Sequence, residues 1–175
     1  MTLLAYVFSH RPAAGVDVAD YEAILKQFHA ALAAAPPSGF LRSSTFRVGD
    51  RYSDWYLLDS SAAIDVLNEA AVSGARTQAH NAVAGMAVDG SGKLYSLAGG
   101  EPRSTTGFEI GFSKPAGMSY ADLYERMQPF SGREGASLWR RMMVLGPPPE
   151  FCLVAPAEIE LPREFRPEVL RREPI

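Results

Sequence analysis

The chain has 175 residues, a formal charge of −3 and one cysteine, with 47% apolar and 21% charged residues. Those values suit one ordinary globular domain, or two very small ones, with room for a sizeable core, and they exclude an internal disulfide. No stretch reaches the roughly 18–20 apolar residues of a membrane-crossing helix, and no dense basic run offers a surface to nucleic acid or an anionic membrane. The N-terminal MTLLAYVFSHRP lacks the basic region of a signal peptide, so a cytoplasmic protein is expected.

LLAYVFS (3–9) reads as a strand. Pro12 and Gly15 mark a turn, and Asp17 is a good helix N-cap, because its side-chain oxygen can accept from free amides of the first turn. Val16 stands where it can staple onto Tyr21. Val18, Tyr21, Leu25, Phe28 and Leu32 follow the 3-4 spacing of one buried helical face. Residues 39–61 then read as a strand, a glycine-containing turn and a second strand. Ser60 or Ser61 can cap a further helix bearing Ile64, Leu67 and Ala71. Gly74 interrupts it, and 75–87 is another helical stretch. VDGSG reads as a turn and KLYSLAGG as a fourth strand, which completes a β-α-β-β-α-β unit.

The same phrases then return. FEIGFS, Pro115, Gly117, the N-cap Ser119 and the staple pair Met118 and Leu123 repeat the chemistry of the first strand, turn and helix. Residues 136–158 repeat the strand, turn and strand of 39–61, with Phe40, Arg42, Gly49 and Trp55 opposite Leu138, Arg140, Gly146 and Phe151. A nearly constant offset over three elements predicts internal duplication. The expected domains are a first ferredoxin-like repeat at 1–100, a truncated second repeat (β-α-β-β) at 101–161, and a charged C-terminal tail at 162–175 lying across a surface or a partner. EIEL (158–161) is the expected short last strand, and GGEPRSTTG (99–107) the linker.

LLAYVF, WYLLD and FCLVA carry apolar residues at successive positions, so both faces of each sheet are expected to be covered. The predicted fold class is therefore α+β: two ferredoxin-like repeats, the second truncated, packed sheet-to-sheet as an α+β barrel with helices outside. The truncated repeat would leave one sheet edge open, and a homodimer formed there is expected.

This element order, together with ARTQAHNAVAGM (75–86), resembles the dimeric α+β barrel superfamily. That superfamily includes antibiotic-biosynthesis-monooxygenase-like, EthD-like, NIPSNAP-like and chlorite-dismutase-like proteins. The resemblance implies a pocket between a sheet and its helices. In the monooxygenase-like members a histidine can line it, and His80 is the matching position. A neutral imidazole there could take a proton from a phenolic substrate, and Arg76, one helical turn earlier, could hold the resulting anion. The competing reading is a histidine on a helix surface.

His10, at a strand end, is a further substrate-binding candidate at a barrel mouth. His29 is expected at the surface. Arg42 and Arg140 match by repeat; facing inward, either would need a carboxylate or an anionic ligand, whereas at a sheet edge it would need nothing. Tyr56 and Trp55 point to opposite faces, and one of them belongs to a core or pocket. Asp59 reads as a strand-end or capping residue and Cys152 as a buried, inert thiol. Three dispersed histidines and one cysteine offer no metal spacing, and there is no phosphate-binding glycine loop or nucleophile elbow. No cofactor is expected. Haem, which the chlorite-dismutase-like members bind through a histidine of the second repeat, has no matching histidine after His80. Two functions stay open: a small-molecule-binding barrel, or a cofactor-independent monooxygenase or isomerase acting on an aromatic or polyketide-like substrate with His80 as base.

Overall fold

The computed structural model describes residues 3–102 and 106–175. In chain order the elements are β1 (Leu4–Pro12), α1 (Val18–Ala34), β2 (Phe40–Val48), β3 (Arg51–Leu58), α2 (Ala62–Ala71), α3 (Thr77–Met86), β4 (Ala87–Gly100), β5 (Gly107–Phe112), α4 (Tyr120–Ser131), β6 (Ser137–Arg141), β7 (Phe151–Ala155) and β8 (Glu168–Pro174). The predicted caps form. Asp17 Oδ1 accepts from the amides of Ala19 at 2.8 Å and Asp20 at 3.1 Å, and Ser119 Oγ accepts from Asp122 N at 3.1 Å. Ser61 occupies the N-cap of α2, but its side chain makes no capping bond.

The eight strands close into one antiparallel barrel in the order β1-β3-β2-β8-β5-β7-β6-β4, with β4 returning to β1. The first four strands thus lie as β4-β1-β3-β2 and the last four as β8-β5-β7-β6, and the β2–β8 and β4–β6 ladders join the two sets. Alternation sorts the side chains. Ala5 and Val7 of β1, Trp55 and Leu57 of β3, Tyr95 of β4, Trp139 of β6 and Cys152 of β7 face the barrel interior. Leu4, Tyr56, Leu58 and Leu94 face outward and pack under Phe28 and Leu32 of α1 and Leu67 of α2. Each such apolar side chain contributes on the order of 1.5–3 kcal/mol.

The C-terminal segment departs from the sequence reading. Residues 158–161 form no strand; Ile159 and Leu161 join Phe165 in the second core, beside Phe112, Leu123 and Met127. The expected tail supplies the last strand instead, since β8 pairs with both β2 and β5. Its charge density hid it: in RPEVLRREP the alternating residue that turns inward is Arg172, which the barrel tolerates because Glu109 meets its Nη1 at 3.4 Å. The edge once offered to a second copy of the chain is therefore filled by β8. VDGSG, expected as a turn, is the first part of the long strand β4. Of the expected linker 99–107, residues 103–105 lie outside the described residues.

Candidate functional site

The register of β1 on β3 sets Tyr6 beside Tyr56, Phe8 beside Asp54 and His10 beside Tyr52, all on the helix-facing side. Their rings form a continuous layer. Tyr6 stacks on Tyr56 at 5.9 Å, Phe8 on His10 at 5.3 Å and His10 on Tyr52 at 5.9 Å. Between this floor and the helices opens a cleft of about 520 Å³, walled by Phe28 of α1, Ile64 and Leu67 of α2, and His80 and Val83 of α3. Two glycines of β4 make room for the floor. A Cβ at Gly92 would lie 2.6 Å from the Tyr6 hydroxyl, and one at Gly90 would lie 2.7 Å from Phe8 Cζ. Gly92→Ala is thus expected to drive the Tyr6 ring into the cleft and cost about 1–3 kcal/mol in urea unfolding. An unchanged midpoint would mean that the ring has room elsewhere.

Asp54 lies at the base of the cleft, nearly inaccessible to water. Its Oδ2 accepts from His10 Nε2 at 3.1 Å and from the Tyr56 hydroxyl at 3.2 Å. Since a carboxylate only accepts, the proton belongs on His10 Nε2, and the Tyr21 hydroxyl donates to His10 Nδ1 at 2.5 Å. His29 Nε2 stands 3.5 Å from Oδ1, which has no hydrogen-bond partner among the described residues. The same imidazole meets Thr45 Oγ1 at 2.6 Å and, through Nδ1, Ser43 Oγ at 2.7 Å. Burial alone would raise the Asp54 carboxyl. The hydrogen bond from His10 and the nearness of His29 outweigh it and hold the group well below the usual carboxylate range. Burial, and then the charge of Asp54, push the Tyr21, Tyr56 and Tyr6 hydroxyls upward, so all three remain protonated donors at neutral pH.

The structure brings some of the expected site residues together and separates others. His80 lines the cleft, edge-on to Phe28 at 5.9 Å, with Nδ1 at 3.3 Å from Asn81 Oδ1. That pairing assigns the proton to Nδ1 and leaves Nε2 free to accept. Tyr56 shares the cleft, and His10 sits one hydrogen bond behind it through Asp54. Arg76 does not line the cleft: its guanidinium bonds the Ala70 carbonyl at 2.6 Å and the Ala35 carbonyl at 2.7 Å, so it ties off the C-terminal ends of α2 and α1. Arg42 bonds the Pro102 carbonyl at the rim of the barrel. Arg140 lies on the far side over the Tyr120 ring, 3.9 Å from its centre, with Glu150 3.7 Å away.

Sequence reasoning missed Asp54 and misplaced His29. His29 is only 13% exposed and belongs to the buried network rather than the surface. The available signal was parity: Tyr52, Asp54 and Tyr56 alternate along one strand face, so an acid between two aromatic rings had to be buried with partners.

Among the described residues of the second half, the space between sheet and helix is packed. Phe112, Phe151, Phe165, Leu123 and Met127 fill the space between its sheet and α4, and no histidine is among them, so the residues there do not fit a haem. Among the described residues no group of three or more His, Cys, Asp or Glu side chains is placed to hold a metal ion, and no helix is long and apolar enough to cross a membrane.

No protein-family model and no curated protein matches the chain. Solved structures resemble it, and two of them illustrate the likeness. The crystal structure of a provisionally named chlorite dismutase aligns with a TM-score of 0.58 at 15% identity, over 100% of this chain and 95% of that one. That of a provisionally named monooxygenase from Lactobacillus acidophilus NCFM aligns with a TM-score of 0.59 at 10% identity, over 99% of this chain and 94% of the other. At such identities the likeness is one of fold: the eight-stranded α+β barrel is shared.

Proposed function

We propose that the cleft over β1 and β3 binds a flat, largely apolar small molecule bearing a hydroxyl group, of aromatic or polyketide-like class. One observation carries this reading: a floor of stacked rings surrounds an ionised, buried Asp54 whose Oδ1 has no hydrogen-bond partner among the described residues. Rings supply stacking area for a planar ligand, and a buried carboxylate oxygen that has only His29 Nε2 near it, at 3.5 Å and without a hydrogen bond, favours a ligand O–H. With 1-naphthol as probe, calorimetry is expected to show one saturable site. Ile64→Trp, which fills the cleft from α2, is expected to weaken binding at least about tenfold, roughly 1.4 kcal/mol. Binding unaffected by that substitution would place the ligand elsewhere.

A second reading follows from His80, and the fold shared with a provisionally named monooxygenase supports it. His80 Nε2 would take the proton of a phenolic or enolic hydroxyl, leaving an oxyanion over the ring floor. The anion would then be reprotonated at carbon, as in an isomerase, or react with dissolved O2. With a hydroxylated anthrone as probe, His80→Ala is expected to abolish oxygen uptake or isomerisation while changing stability by no more than about 0.5 kcal/mol, since the side chain is part-exposed. Retained turnover would remove the histidine from the chemistry.

A further inference from the structure

A second cavity, of about 290 Å³, lies inside the barrel, on the opposite face of β1 and β3 from the cleft. Trp55 and Tyr95, stacked at 6.2 Å, form part of its wall, and Pro147–Pro149 lie over it. Lys93 enters from β4, paired in register with Val7. The other charged groups nearby are largely spoken for. Glu109 accepts from Trp55 Nε1 at 3.0 Å and from Arg172 Nη1 at 3.4 Å, and Arg51 donates to Ser9 Oγ at 2.9 Å and to the Asp89 carbonyl at 2.7 Å. Lys93 makes no hydrogen bond or ion pair with any described residue.

We infer that the barrel interior is a second site, in which Lys93 Nζ captures a small aldehyde or ketone as an imine. A half-buried amine lining a cavity, without a carboxylate bonded to it, can act as a nucleophile rather than a structural cation. Burial lowers the proton affinity of Lys93 and outweighs the opposing charges of Glu109 and Glu168, so more of it is neutral than of an exposed lysine. An organic anion suits the cavity less well, because Glu109 and Glu168 also line it and their charge opposes another carboxylate. A neutral carbonyl compound meets no such field, and the Trp55 and Tyr95 rings offer it apolar surface. In the reaction the amine lone pair forms the C–N bond while the carbonyl π pair moves to oxygen. Proton transfer gives a carbinolamine. Its C–O bond then breaks, water leaves with both amine protons, and the imine remains.

The chain has three lysines, Lys26, Lys93 and Lys114, so the test is simple to read. Lys26 is exposed, whereas Lys114 bonds the Met118 carbonyl at 2.6 Å. The intact protein is incubated at pH 7 with benzaldehyde and sodium cyanoborohydride, and the reduced adducts are mapped by peptide mass spectrometry. Lys93 is expected to be alkylated at least about tenfold faster than Lys26, and Lys93→Arg is expected to remove the fast phase. Urea-unfolded protein should show no preference. If Lys93 in the folded protein reacts no faster than Lys26, the proposal is overturned. That comparison stands on the unsubstituted chain and does not depend on any variant folding.

Discussion

Asp54→Ala is expected to cost about 3–5 kcal/mol, a large share of the stability of a domain this size. The carboxylate is the common acceptor for His10 Nε2 and the Tyr56 hydroxyl, and His29 stands beside it. Taking it away strands two buried donors, each worth about 1–3 kcal/mol when left unmade. Asp54→Asn keeps an acceptor and should cost less. The acid dependence separates the two variants from the parent. The folded-state carboxyl titrates below its unfolded value of about 3.9, so its contribution is complete above that pH and is lost as the pH falls toward the folded value. Urea midpoints of parent and Asp54→Asn should therefore differ most near neutrality and converge below about pH 4. A constant gap across that range would mean that Asp54 is not the ionised centre of the network.

Deleting residues 168–175 should have the largest effect of all. β8 closes the barrel, pairing Arg172 to Glu168 with Gly107 to Gly111 on one side and Pro174 to Arg172 with Phe46 to Val48 on the other. Without it β2 and β5 present unpaired edges, which template aggregation. Glu109 loses Arg172, and the Phe46 ring loses the guanidinium lying 3.3 Å from its centre. The truncated chain is expected to elute as aggregate and to show no cooperative thermal transition. A monomer that still melts cooperatively within about 5 °C of the parent, the shift that roughly 1–2 kcal/mol produces in a chain of this length, would mean that the barrel does not need its eighth strand.

Much of the local structure was legible in the sequence, because its causes are local. The capped starts of α1 and α4, the buried stripe of Tyr21, Leu25, Phe28 and Leu32, and the break at Gly74 each follow from spacing of a few residues. Covered faces on both sides of the strands implied a barrel of sheets. The eighth strand escaped because strand reading looks for apolar alternation, and β8 turns an arginine inward. Its partner, Glu109, is distant in sequence.

A resemblance in its helix pointed to His80 and the parity of β3 to Tyr56, and the structure places both along the cleft. Of the network beneath them the sequence singled out His10 alone, and placed it at a barrel mouth rather than buried against Asp54; His29 and Asp54 escaped, because a histidine or aspartate reads as surface until a neighbour is known. What sequence alone determined is which residues share a face, since strand period and helix period set that along the chain. Tertiary structure alone decided which faces meet. The β1–β3 register brought His10 and Asp54 into hydrogen-bonding reach, and the return of α1 over the sheet brought His29 to the same carboxylate. A charged group becomes part of a site only when packing removes its water and leaves a protein partner in its place.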